Sequence, residues 1–361
     1  MVVNNIAPEE LMKLFFFQPY MTTYREPFFE DIHCKTNGEF EVICSVTPQD
    51  FHRSDKVHFK MTSLAIKKIN RLFFFRNIPW KKIRQTPSCV IHFADFKYIS
   101  LYQSVLLKCI SFTRVYLHGQ GGYKSHGTIA KLFYFFSVLL TDGYICYNEF
   151  CAIELKKKLP YFLHRKVFHI DNCLYLNPVE KINADAGKSI AFIGRIRPRC
   201  GLEELLDALE LARQKDTSLT IEIVGSGDPD FIVGLSRRYS FAHFHGAVYD
   251  EEHIKHLLSS CLAGAYGGDA GLSVVHYMAL GLPVIVHNDL RQHMGPEPAY
   301  VRDAKNGLLF EKGNIDSLSK KLLQLADDRE LRNRLAGAAL DTFHTLQSPS
   351  MADKLLNIIK E

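Results

Sequence analysis

Residues 264–289, GAYGGDAGLSVVHYMALGLPVIVHND, constrain the fold of this chain more than any other segment. They read as a glycine-rich turn, a helix and a buried strand. Gly281 and Pro283 stop the helix, and the apolar run 283–286 is a short strand of the parallel-sheet kind. Gly267, Gly268 and Gly271 let the backbone come close to a ligand, and a helix opening near Leu272 and Ser273 aims N–H groups at an anion. An ordinary strand-to-helix turn uses glycine in the same way, so the turn alone nominates a phosphate site without establishing one.

With 361 residues and 47% apolar content the chain can bury two ordinary cores, which predicts two domains and excludes disorder. The net charge of +5 is spread among interspersed acids, which argues against a nucleic-acid binder. One stretch is different. Residues 51–84 hold ten basic residues against Asp55 alone, with 72–75 and Trp80 as apolar company. It is read either as a face on an anionic membrane or as a solvated helix face over a buried Phe strip. Nine cysteines without a CxxC pair form neither a disulfide framework nor a zinc site. The longest apolar run, 132–140, falls well short of the ~18 residues that span a bilayer, and the N-terminus lacks a signal-peptide layout. A cytoplasmic protein is expected, one that touches a membrane face.

Short apolar runs at 14–17, 40–44, 89–93, 115–117 and 144–146 alternate with helical patterns, as in a parallel sheet with crossover helices. Residues 173–186 are polar and turn-rich and read as a linker. The pattern then restarts, with strands at 190–193, 219–224 and 241–245 and helices at 201–213 and 230–239. Helices at 315–326 and 330–345 precede an amphipathic segment, 351–360. Twenty of the 26 phenylalanines lie before residue 176, more than a sheet core alone needs, so some are expected to face a lipid or an acceptor.

FIGRIRPRCG at 192–201, VGSGD at 224–228, HGAVYDEEHIKHLLSSC at 245–261 and HMGPEPAYVRDAKNGLLF at 293–310 stand in one order with the 264–289 segment. Together they resemble glycosyltransferase family 4, retaining enzymes of the GT-B fold. FQPYMTTYREPFF at 17–29, YLHGQGG at 116–122 and DGYICYNEF at 142–150 resemble the subset that builds bacterial surface polysaccharides. The resemblance implies an α/β chain of two Rossmann-like domains with parallel sheets facing across a cleft. Residues 1–175 would bind the acceptor, 176–345 the nucleotide-sugar donor, and 346–361 would return to the first domain.

The resemblance also assigns roles. Arg195 holds the donor diphosphate beside Gly194, where fixed positive charge lowers the barrier to departure of the nucleotide. The family's loop lysine falls on Cys200, whose neutral thiol cannot replace an ammonium group, so Arg199 or Arg197 is expected to take its place, Arg199 first. The family's paired glutamates fall on Gly268 and His276. Asp269 is the candidate carboxylate for the donor sugar, and His276 is either a ribose ligand or a core-facing histidine. Gly225, Gly227, Gly271, Leu272 and Ser273 complete the donor-binding set, with Glu297 either orienting the donor or capping a helix. His118, after the strand 115–117, is expected near the reacting carbon. Tyr24 and Arg25 are read as acceptor ligands, for hydroxyls or a lipid diphosphate, or as loop packing and solvent-facing charge.

Asp228 and Asp230 spell a DxD triplet, but they open a helix, so capping explains them better than a metal and none is expected. No cofactor is expected beyond the donor substrate. The reading is a retaining, metal-independent hexosyltransferase that moves a sugar from a nucleotide diphosphate to a glycan acceptor, lipid-linked in the favoured version, in O-antigen, capsule or similar synthesis. The alternatives are a GT-B glycan-binding or assembly subunit without turnover, for which Cys200 and the missing glutamates speak, and an epimerase of the same fold.

Overall fold

The computed structural model describes residues 12–46, 56–85, 87–183 and 187–360. Residues 51–55 of the basic stretch and 184–186 of the linker therefore lie outside the described residues. The chain divides into two compact units, 12–171 with 349–360, and 172–348.

The first unit is built on a seven-stranded, all-parallel sheet in which the strand runs expected from the sequence are found. Its strands are β1 (Lys13–Tyr20), β2 (Phe40–Ser45), β3 (Lys60–Leu64), β6 (Ser88–Phe93), β7 (Arg114–Gly119), β8 (Gly143–Cys146) and β9 (Val167–His169). A separate antiparallel hairpin consists of β4 (Ile66–Ile69) and β5 (Leu72–Phe75). The sheet order β3-β2-β1-β6-β7-β8-β9 reverses direction between β1 and β6. Helices α1 (Glu26–Lys35), α2 (Trp80–Arg84), α3 (Ile99–Ile110), α4 (Thr128–Leu140) and α5 (Glu149–Lys156) complete the connections. Phenylalanine supplies much of the core. Phe16 on β1 meets the edges of Phe28 and Phe29, and Phe29 stacks on Phe40, so β1, β2 and α1 are joined by rings.

The stretch 56–84 is not a helix face. It forms the edge strand β3, the β4–β5 hairpin and the short α2, and its aromatics turn inward: Trp80 stacks on Phe17 at 5.8 Å, and Phe73 stacks on Tyr98 at 4.9 Å. Glu41, buried on β2, accepts from Thr62 at 2.7 Å and from Lys82, which neutralises part of the basic excess inside the domain. Periodicity at 3.6 residues cannot be told from a tight hairpin when the turn is Asn70, which adopts the left-handed conformation without being glycine.

The second unit carries a six-stranded parallel sheet of β10 (Ser189–Ile193), β11 (Thr220–Val224), β12 (Ala242–Gly246), β13 (Ala263–Ala265), β14 (Val284–His287) and β15 (Gly307–Phe310). The order is β12-β11-β10-β13-β14-β15, the doubly wound arrangement, with its reversal between β10 and β13. Helices α6 (Leu202–Arg213), α7 (Pro229–Arg238), α8 (Glu251–Leu258), α9 (Ser273–Ala279), α10 (Ile315–Asp327) and α11 (Arg329–Gln347) complete the unit. Asp228 accepts from the Phe231 amide at 3.0 Å and so caps α7. Helix α9 ends as the sequence requires: Gly281 has φ +64°, its amide bonds to Met278 O and the Leu282 amide to Tyr277 O, a Schellman closure. The last helix, α12 (Met351–Lys360), belongs to the first unit and packs on α1, where Lys35 pairs with Asp353 at 2.6 Å.

Candidate functional site

In the second unit, four loops that leave the carboxyl ends of β10, β13, β14 and β15 bring a charge cluster together. Arg199, after β10, donates from Nε and Nη2 to Asp269 Oδ2 at 2.9 and 2.5 Å, and from Nη2 to Gln292 O at 3.2 Å. Lys312, after β15, stands 3.5 Å from Asp269 Oδ1. His287 lies 3.4 Å from the same oxygen. Burial opposes ionisation of Asp269, yet the Arg199 hydrogen bonds and the Lys312 charge outweigh it and hold the carboxyl below its ordinary range.

Two neutral histidines shape the turn beneath. The His287 and His293 rings stack with centroids 3.6 Å apart. His293 Nδ1 accepts from the Ala270 amide at 3.1 Å, which leaves Nε2–H to donate to His287 O at 3.0 Å. His287 Nδ1 accepts from the Asp289 amide, so its Nε2–H faces Asp269. Burial pushes His293 down to about 3 and lowers His287 as well, so both rings are neutral near pH 7.

The glycines interlock with one another. A Cβ on Gly201, which has φ +67°, would stand 2.0 Å from Gly268 N; on Gly225, 1.9 Å from Gly194 O; on Gly227, 2.4 Å from Ile196 O. The loops at 194–201, 225–227 and 267–268 therefore touch backbone to backbone, tied by Ile196 N to Ser226 O at 2.8 Å and Asp269 N to Arg199 O at 2.8 Å. Gly194, Gly225 and Gly227 are explained by this contact before any ligand is invoked. Gly271 is different: the nearest atoms to a Cβ there are 3.9 Å away, which is ordinary contact.

The first unit has its own concavity, of about 560 Å³, at the carboxyl ends of β1, β6, β7 and β8. That rim flanks the β1/β6 reversal, where ligands of open α/β sheets collect. His118, at the end of β7, lines it and is 1% exposed, and neither ring nitrogen has a hydrogen-bond partner. Its ring lies 4.8 Å from Tyr147, over which the Arg25 guanidinium sits at 5.7 Å. Burial, with the Arg25 charge adding to it, holds His118 well below the ordinary histidine value. Arg25 is buried in the wall rather than solvent-facing, and Tyr24 is half exposed beside it at 5.6 Å.

With these two rims described, the chain can be set beside known proteins. The family model for glycosyl transferases group 1 matches residues 178–341. That segment is a group 1 glycosyltransferase domain. The phosphatidyl-myo-inositol mannosyltransferase of Mycobacterium tuberculosis is 35% identical over 162 residues, 42% of this chain and 41% of that protein. The poly(ribitol-phosphate) alpha-N-acetylglucosaminyltransferase of Staphylococcus aureus is 26% identical over 226 residues, 60% of this chain and 43% of that one. These alignments span less than half of either relative. The crystal structure of Anabaena HepE in complex with UDP superposes with a TM-score of 0.70 at 15% identity, over 97% of this chain and 99% of that one. The chain has the α/β GT-B fold.

Within the group 1 domain, Arg195 is exposed on the loop after β10, and Arg197 reaches Met294 Sδ at 3.7 Å. Cys200 is buried and holds the loop from inside, its sulfur accepting from the Arg197 amide at 3.5 Å. Leu272 caps α9, and Ser273 Oγ lies 2.8 Å from the Tyr266 hydroxyl, which donates to Ile193 O. His276 is partly covered on α9, and desolvation lowers it to about 4. Glu297 is buried at the start of a short 3-10 turn and accepts from Asn172 Nδ2 at 2.5 Å. Sequence reasoning did not nominate Lys312, His287, His293 or Asn172. Only topology joins them to the turn; the available signal was that each follows the end of a strand or the domain junction.

Proposed function

We propose that the protein is a retaining, metal-independent hexosyltransferase that moves a sugar from a nucleoside diphosphate donor to a glycan acceptor, in bacterial surface-glycan synthesis. The observation that carries this reading is the cationic cluster at the β10/β13 reversal of the group 1 domain, where Arg199 and Lys312 converge on Asp269. In this reading Lys312 supplies the ammonium group that Cys200 cannot, from a different loop. Arg195 and Arg199 neutralise the diphosphate as its bond to the anomeric carbon breaks, which is where fixed charge lowers the barrier most. The acceptor oxygen bonds to the same face of that carbon, and its proton passes to the departing phosphate oxygen.

Asp269 orders the cations and offers its remaining lone pairs to a sugar hydroxyl, while Glu297 takes the part of the absent helix glutamate. His118, neutral and unsatisfied, has one donor and one acceptor for a sugar near the reacting carbon. The first unit's concavity, with Arg25, Lys97 and Lys124 among tyrosines, suits an acceptor that carries an anionic group as well as sugar rings. A lipid-linked phosphate acceptor has that chemistry.

The test is slow hydrolysis of a panel of nucleotide sugars, followed by nuclear magnetic resonance of the first anomer released. Hydrolysis of one donor with the anomeric configuration retained, and lost in His118→Ala and Lys312→Ala, supports the reading. Release of the inverted anomer contradicts retention. No hydrolysis of any donor, together with glycan binding, favours the glycan-binding subunit instead.

A further inference from the structure

In the first unit α3 and α4 carry apolar residues on the side that faces water. The exposed side chains of α4 include Ile129, Leu132, Phe133, Phe136, Leu139 and Leu140, spaced at three and four residues, which is one stripe of a helix; Ile129 is 73% exposed. On α3 the exposed side chains Tyr102, Leu106 and Ile110 recur at every fourth position. Phe112, just beyond α3, is 99% exposed, and Tyr161, in the 3-10 turn that packs against α4, is 88% exposed. The crossovers β6-α3-β7 and β7-α4-β8 run in one direction along the sheet, so both helices lie on the same sheet face. Lys108 of α3 reaches Asp142, just past α4, at 2.5 Å, which fixes the two helix ends side by side. Scattered apolar residues need no partner, but two parallel stripes do.

The charge pattern selects the partner. Between Asp95 and Asp142 the chain has no acidic residue, while exposed Lys131 stands on α4 and exposed Arg165 follows Tyr161. A protein partner or a second copy would set acids against these cations or need acids of its own here; a bilayer leaflet with anionic headgroups needs apolar insertion and bases alone. Among the described residues no helix is long and apolar enough to cross a membrane.

We propose that α3, α4 and the 161–162 turn lie on an anionic lipid surface, with the α4 stripe inserted at the headgroup boundary and Lys131 and Arg165 among the headgroups. This moves the membrane contact away from the basic stretch 51–84, where Phe59 and Phe75 are buried and Phe73 and Trp80 pack against the core. The inference does not depend on the glycosyl-transfer reading, because lipid binding is measured without donor or acceptor.

The experiment is flotation of the full chain with phosphatidylcholine vesicles, with and without about a third phosphatidylglycerol. The wild type should float with the anionic vesicles and stay behind with the neutral ones. Leu132→Gln/Phe136→Gln, whose fold is checked by circular dichroism and thermal melting, should bind about a hundredfold more weakly, each lost side chain contributing about tenfold. Lys67→Gln/Lys68→Gln, on the hairpin, should bind like the wild type. Absence of flotation with anionic vesicles overturns the proposal, as does an unchanged Leu132→Gln/Phe136→Gln variant. Loss of binding in the hairpin variant alone overturns it too, and so does a dimer in light scattering that dissociates in the α4 variant.

Discussion

Arg199 and Asp269 are each other's partners: both Nε and Nη2 of the arginine donate to one carboxylate oxygen, at 2.9 and 2.5 Å. The sequence nominates them separately, one for phosphate and one for a sugar hydroxyl. With Lys312 beside them they make a single unit in which one carboxylate offsets one of two positive charges and leaves a net positive group.

Asp269→Asn should therefore act on stability and turnover together. The carboxylate is buried while Arg199 is largely exposed, so the stability loss should stay near the low end of the range for a buried ion pair, about 1–3 kcal/mol. Turnover should fall about a hundredfold, because Arg199 and Lys312 lose their common anchor. Thermal melting and steady-state kinetics on the same preparation separate the two effects.

The glycines should divide into two classes. Gly201→Ala and Gly225→Ala drive a Cβ to within 2.0 and 1.9 Å of backbone atoms and should cost more than about 3 kcal/mol, seen as loss of soluble protein or a large fall in Tm. Gly271→Ala meets nothing closer than 3.9 Å and should melt within about 1 kcal/mol of wild type while binding nucleotide more weakly.

His118→Ala should lose the packing of the ring against Phe16 and Tyr147 but no hydrogen bond, lowering Tm modestly, and should lower turnover by about 10²–10³. A comparable fall in Tm and activity would mean that His118 is a packing residue.

Acid should unfold the protein early. Burial holds His92 and His293 at about 3 and His276 at about 4, all below their unfolded value of 6.5. Between 6.5 and about 4 the unfolded chain binds up to three more protons than the folded one at these sites, so stability rises with pH through that window and is lost as pH falls. Each imidazole contributes about 1.4 kcal/mol per pH unit. The depressed carboxyl of Asp269 adds a loss of the same sign at lower pH. Melting temperature followed from pH 7.5 downward should begin to drop near 6.5 and not near 4.

Strands such as β1, β10 and β14 were legible because each holds a short, unbroken apolar run, the mark of a sheet covered on both faces, whereas β3, KMTSL, has no such run. Helix α9 and its stop at Gly281 were legible for the same local reason. The hairpin at 66–75 was not, since its lysines and phenylalanines fit more than one period. The charge cluster was invisible for another reason: Asp269 meets Arg199 70 positions away and Lys312 43 positions away, and only the sheet order brings their loops together. The glycines were legible as close approaches, but what they approach is one another, and no local pattern carries that information.

The central claim is that the group 1 domain holds a nucleoside diphosphate through its own basic residues without a metal. The most direct test is a thermal-shift measurement of the purified protein with UDP, GDP, ADP, CMP and TDP, with and without chelator, repeated on Arg195→Ala. The account predicts a rise in Tm with one nucleotide that survives chelation and disappears in the variant. No rise with any nucleotide, or a rise abolished by chelator, would contradict it.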